Sequence, residues 1–120
     1  RYENDKYQSI SNDYPPEVPG NPWIITTLWY AQWLLAIAKN EKSKEFKEAE
    51  QMIKWVTKQA YTTFILPEQI NPFTGEHLSV APLTWSHSTY VDTVMFYRMK
   101  LTEFGVCKEH LIPETLNVDT

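Results

Sequence analysis

From Trp23 to Ala38 only Thr26, Thr27 and Gln32 interrupt an otherwise apolar run, and this stretch limits the chain's fold more than any other. Asn21 is a residue type that caps helices, and Pro22 suits a first helical position, where a missing N–H is harmless. As a helix the run is roughly 24 Å long, at about 1.5 Å per residue. A bilayer core is about 30 Å thick, so the run reads as a helix buried on nearly all sides rather than as a membrane span. Such a helix has to be covered by other elements, and much of the remaining sequence is built to cover it.

Lys39 to Ser43 is a short charged turn with Ser43 as a cap. Phe46, Ala49, Ile53, Val56 and Ala60 then recur at spacings of three and four, while Lys44, Lys47, Glu48, Lys54 and Lys58 fall elsewhere. This predicts a one-sided amphipathic helix with a solvated back, antiparallel to the first. Residues 62–84 hold Pro67, Pro72, Pro82 and Gly75, which predicts a long loop with short strands and a turn at Pro72-Phe73-Thr74-Gly75. A third helix is expected from Thr84 or Ser86, either able to cap it. Its stripe is Tyr90, Val94, Tyr97, Leu101 and Phe104, broadened by Val91 and Met95, and Gly105 ends it. Residues 1–20 and 106–120 read as largely irregular. The fold class is therefore all-α, with about three helices. The first helix is too apolar for three helices to cover comfortably, which points to more protein around it.

The composition excludes several functions. Eleven Lys and Arg against fifteen Asp and Glu, with no basic cluster, leave no electrostatic footprint for nucleic acid. One cysteine, Cys107, forms neither an internal disulfide nor a zinc quartet. Three glycines supply no phosphate-binding loop. No signal-peptide pattern opens the chain, and Arg1 is not a start residue, so a piece of a longer polypeptide is expected.

An up-down-up order brings Gly20-Asn21-Pro22-Trp23, the 66–76 loop and Leu83-Thr84-Trp85-Ser86-His87 to one end. Loop residues converging at one end are what a ligand site requires. The chemical groups there are Glu68, Gln69, Glu76, His77, Ser86 and His87. Glu68, in Ile65-Leu66-Pro67-Glu68, reads either as a rigidly held general base or as a solvated loop carboxylate, and spacing alone favours the second. His77 and His87 lack metal-ligand spacing and read first as surface or capping groups. Ser86 beside His87 is not a catalytic pair by adjacency, since triads assemble through space. Trp29, Trp33 and Trp55 read as core. Trp23 and Trp85, at helix starts, read as core or as stacking platforms for sugar rings.

Gly20-Asn21-Pro22-Trp23 before an apolar helix, Leu66-Pro67-Glu68-Gln69, Thr74-Gly75-Glu76 and Ala81-Pro82-Leu83-Thr84-Trp85-Ser86-His87 occur here in a fixed order. Together with Arg1-Tyr2, Asp5 and Tyr7, this series resembles glycoside hydrolase family 15, the glucoamylase family, over residues 1–104. The resemblance implies that the chain is the C-terminal portion, about three helices, of an (α/α)6 barrel in an inverting hydrolase of α-linked glucosides. It implies that Glu68 is the general base, that Arg1, Trp23 and Trp85 bind substrate, and that no metal or cofactor is needed. The family's general acid lies upstream of the Arg-Tyr segment, so half of the catalytic pair belongs to the remainder of the polypeptide. The implied partners are an α-linked gluco-oligosaccharide or disaccharide and that remaining polypeptide, with no nucleic acid and no membrane. The 17 residues between Tyr2 and Gly20 exceed the segment in fungal starch enzymes, and Ser88 stands where alanine is usual. Starch-type oligosaccharide, dextran and trehalose stay open as substrates, as does a non-catalytic carbohydrate-binding module. Retention of Glu68 favours the enzyme.

Overall fold

A computed structural model describes residues 20–60 and 62–107. Arg1 lies outside the described residues, as do residues 1–19 and 108–120 of the segments 1–20 and 106–120 expected to be irregular. Three helices and a small hairpin are present: α1 (Ile24–Ile37), α2 (Lys44–Gln59), β1 (Gln69–Ile70), β2 (His77–Leu78) and α3 (Thr84–Glu103). The mostly helical composition agrees with the expected all-α class. Among the described residues no helix is long and apolar enough to cross a membrane.

α2 follows its sequence pattern closely. Ser43 caps it by accepting from Phe46 N–H (3.4 Å), and Phe46, Ala49, Ile53 and Val56 are buried. α1 has apolar residues all round, and it lies between α2 and α3, which touch each other little. Ala31, Leu34 and Leu35 meet Phe46, Ala49 and Ile53 in one core cluster, while Ile24 and Leu28 meet Val56, Leu66 and Ile70 in a second. Gln32, the polar residue inside the apolar run, donates to Thr93 Oγ1 of α3 (2.8 Å), so its amide is satisfied within the packing.

Phe46 joins α2 to α3. Its ring stacks on Tyr97 (5.1 Å between centroids) and meets Phe104 edge-on (5.7 Å). Tyr97 Oη donates to Glu50 Oε1 (3.2 Å). Burial first, then the Glu50 charge, pushes the Tyr97 phenol up to about 12, so it remains a donor at any ordinary pH. α3 ends as Gly105 predicts. Gly105 has φ +73°, its N–H donates to Thr102 O (2.9 Å), and Val106 N–H donates to Leu101 O (2.9 Å). That is the paired geometry of a Schellman cap. Lys100, buried near this end, pairs with Glu103 (2.8 Å) and sits 4.9 Å from the centre of the Phe104 ring.

Three expectations need correction. Asn21 and Pro22 do not start α1. Trp23 occupies the N-cap position without a side-chain cap, because the segment before it is extended and bonded to the 66–70 loop. Neither Thr84 nor Ser86 caps α3, whose N-cap is Leu83. Finally, Trp29 (47%) and Trp33 (54%) are exposed rather than core, as are Val91 and Met95. α1 has more apolar faces than α2 and α3 can cover. Trp29, Tyr30, Trp33 and Ile37 of α1 form an open face, with Trp85, Val91, Met95 and Met99 exposed on the neighbouring α3.

Candidate active site

The Leu66–Ile70 segment is bonded along almost its whole length. Ile24 N–H donates to Glu68 O (3.1 Å) and Ile70 N–H to Pro22 O (3.0 Å), so the chain entering α1 runs antiparallel beside it. Trp23 lies opposite Gln69 in this pairing. On its other side, β1 pairs with β2, Gln69 opposite Leu78 and Ile70 opposite His77. The hairpin closes through Asn71, whose Oδ1 accepts from Phe73 N–H (2.9 Å) and Thr74 N–H (3.2 Å). Gly75, at φ +76°, donates to Asn71 O (2.9 Å). An asparagine side chain and a left-handed glycine are the usual means of turning a chain this tightly.

The start of α3 holds the segment from below. Leu83 N–H donates to Leu66 O (3.1 Å), Ser86 Oγ donates to Pro67 O (2.8 Å), and Leu66 N–H donates to His87 Nε2 (3.1 Å). Ser86 is fully buried. The Ser86 hydroxyl and His87 Nε2 are thus engaged with backbone. His77 Nε2 bonds to Gln59 O and ties β2 to the end of α2, which makes it structural as well. Glu76 is exposed and its Oε2 accepts from Thr74 Oγ1 (3.2 Å) within the hairpin turn.

Glu68 is half-buried. Its Oε2 accepts from two side chains, Gln69 Nε2 (3.1 Å) and Ser79 Oγ. Gln69 is itself buried, and its Oε1 accepts from Asn21 Nδ2 (3.0 Å). No hydrogen bond is made to Glu68 Oε1 among the described residues. Among the described residues the carboxylate therefore has one oxygen held by two donors and one that is not engaged. Ser79 reaches it because the return strand distorts beyond β2. Ser79 adopts φ +65° and Glu68 N–H passes it to reach Val80 O (2.9 Å), as at a bulge. Ser79 was not singled out from the sequence. The signal was the turn at residues 71–75, whose register places residue 79 against residue 68.

Trp23, Glu68 and Trp85 come together at one end, as the up-down-up order requires. Trp23 is half-buried and starts α1, while Trp85 (53% exposed) lies in the first turn of α3 beside Ser86. Trp85 meets Trp29 edge-on at 5.6 Å. Arg1 lies outside the described residues. A cavity of about 260 Å³ is lined by Pro22, Trp55, Gln59, Ile70, Asn71, Pro72 and Gly75, and Glu68 is not among these residues. That cavity sits between α2 and the hairpin.

The chain is similar to an uncharacterized glycosyl hydrolase of Methanocaldococcus jannaschii, at 32% identity over 87 residues, covering 65% of this chain and 14% of that protein. The chain thus spans about one seventh of the relative's length. No family model matches the chain, and no solved structure matches it. The relationship is distant and is to a glycosyl hydrolase in general terms.

Proposed function

We propose that this chain is part of an inverting glycoside hydrolase of α-linked glucosides, with Glu68 as the general base. The observation that carries the reading is the asymmetric hold on its carboxylate. Oε2 is held by Gln69 and Ser79, and no described residue bonds to Oε1, which leaves it to take a proton. A base is effective when it is held within reach of the proton it removes. Glu68 would take that proton from a water as the water attacks the anomeric carbon opposite the leaving group. The matching acid, which protonates the leaving oxygen from about 6.5–9.5 Å away, is supplied by the remainder of the polypeptide. The name of the archaeal relative supports glycoside hydrolysis in general terms, and the resemblance of the ordered motifs to family 15 supports the finer reading.

In this reading Arg1, Trp23 and Trp85 bind an α-linked gluco-oligosaccharide or disaccharide. The open faces of α1 and α3 are covered by the rest of an (α/α)6 barrel. The full-length protein, incubated with maltose, soluble dextrin and trehalose, is expected to release glucose from at least one of them. Proton NMR of the first glucose formed from maltose or dextrin is expected to show the β-anomer. First-formed α-glucose would mean retention and would overturn the assignment of Glu68 as base.

A further inference from the structure

We propose that His87 is a positioning residue that sets the Glu68 carboxylate through the backbone of Leu66 and Pro67. The proposal rests on Glu68 being the general base. Pro67 has no N–H, so Leu66 and Pro67 can be held through the backbone only by their two carbonyls and the Leu66 N–H. The Leu66 N–H is received by a side chain, His87 Nε2 (3.1 Å), and not by a strand or helix carbonyl. The two carbonyls accept from Leu83 N–H and Ser86 Oγ. Leu83, Ser86 and His87 stand at i, i+3 and i+4, so one face of the first turn of α3 grips all three handles. To accept here, Nε2 is unprotonated and Nδ1 carries the ring hydrogen.

The other side of Glu68 is fixed independently. Ile24, Val80 and Gln69 hold the residue from the α1 and β2 sides. His87 therefore governs one degree of freedom, the approach of the chain into Glu68. Loss of its acceptor moves the carboxylate without unmaking the fold. A displacement of about 1 Å at a reacting group can cost as much as 10²-fold in rate.

The test compares three substitutions in the full-length protein. His87→Leu removes the acceptor and keeps the bulk. His87→Gln places an amide oxygen where Nε2 stood, and His87→Asn places it one bond short. His87→Leu and His87→Asn are expected to lower kcat about 10- to 100-fold with KM within about twofold, and His87→Gln to restore most of kcat. A structural role by volume alone would not separate Gln from Leu and Asn. If Gln is as impaired as Leu, or Leu as active as wild type, the proposal is overturned. Selective 15N-histidine labelling decides the matter where the leucine variant fails to fold: a pyridine-type Nε2 on His87 is expected, and a protonated Nε2 overturns the proposal. Glu68→Gln, measured in parallel, separates the two ideas. Full activity in that variant removes the base assignment. An inactive Glu68→Gln beside a fully active His87→Leu removes only the positioning role.

Discussion

Replacing Glu68 by glutamine in the full-length protein is expected to lower kcat about 10²–10⁴-fold and to leave KM within about twofold, the scale for loss of a general base. Glutamine keeps the volume and the side-chain oxygen that receives Gln69 and Ser79, so the loop stays in place. What it lacks is a group able to take the water's proton. Steady-state kinetics on the hydrolysed glucoside, with a thermal melt to confirm the fold, checks this. A variant with wild-type kcat would leave Glu68 as a structural carboxylate.

The opposite signature is expected for Phe46→Ala. Phe46 is 2% exposed and packs on Tyr97 and Phe104. Truncation of a buried phenylalanine costs about 3–5 kcal/mol, because transfer energy is lost and the cavity only partly closes. Phe46 also makes the ring contacts that bind α2 to α3, so few other contacts there compensate. The ring lies away from the Leu66–Ile70 segment. Molecules that remain folded should therefore keep near-normal kcat while the urea midpoint falls. A large loss of kcat in folded protein would mean that the helix packing is coupled to the site.

The sequence makes some of this arrangement visible and hides the rest for identifiable reasons. α2 is legible because its partners are local: Ser43 caps three residues ahead, and a single apolar stripe repeats at helical spacing. The Gly105 terminus is legible for the same reason. α1 is legible in extent but not in orientation, since a helix apolar on every side carries no period to say which face stays open. Trp29 and Trp33 read as core by spacing, yet they lie on the face that stays open. The rigidity around Glu68 is foreshadowed by Pro67. Its donors are not, because Ser79 arrives across a hairpin and Asn21 through a glutamine 48 residues away. Asn21 has the chemistry of a cap, and a long-range amide partner draws it elsewhere.

The Leu66–Ile70 segment lacks helical structure and joins a hairpin to a helix, yet its amides are engaged like those of a core strand. Ile24, Leu66, Glu68 and Ile70 each donate to an acceptor at least a dozen residues away in sequence. These bonds tie the segment to α1, to the strand beyond β2 and to the first turn of α3. Protection against hydrogen exchange reports the free energy of the smallest opening that exposes an amide. In deuterium the Leu66, Glu68 and Ile70 amides should therefore exchange as slowly as those of Leu35 and Val56, and far more slowly than the exposed turn at residues 62–64. A connecting segment that exchanges only when the whole unit opens belongs to the same cooperative unit as the helices it joins.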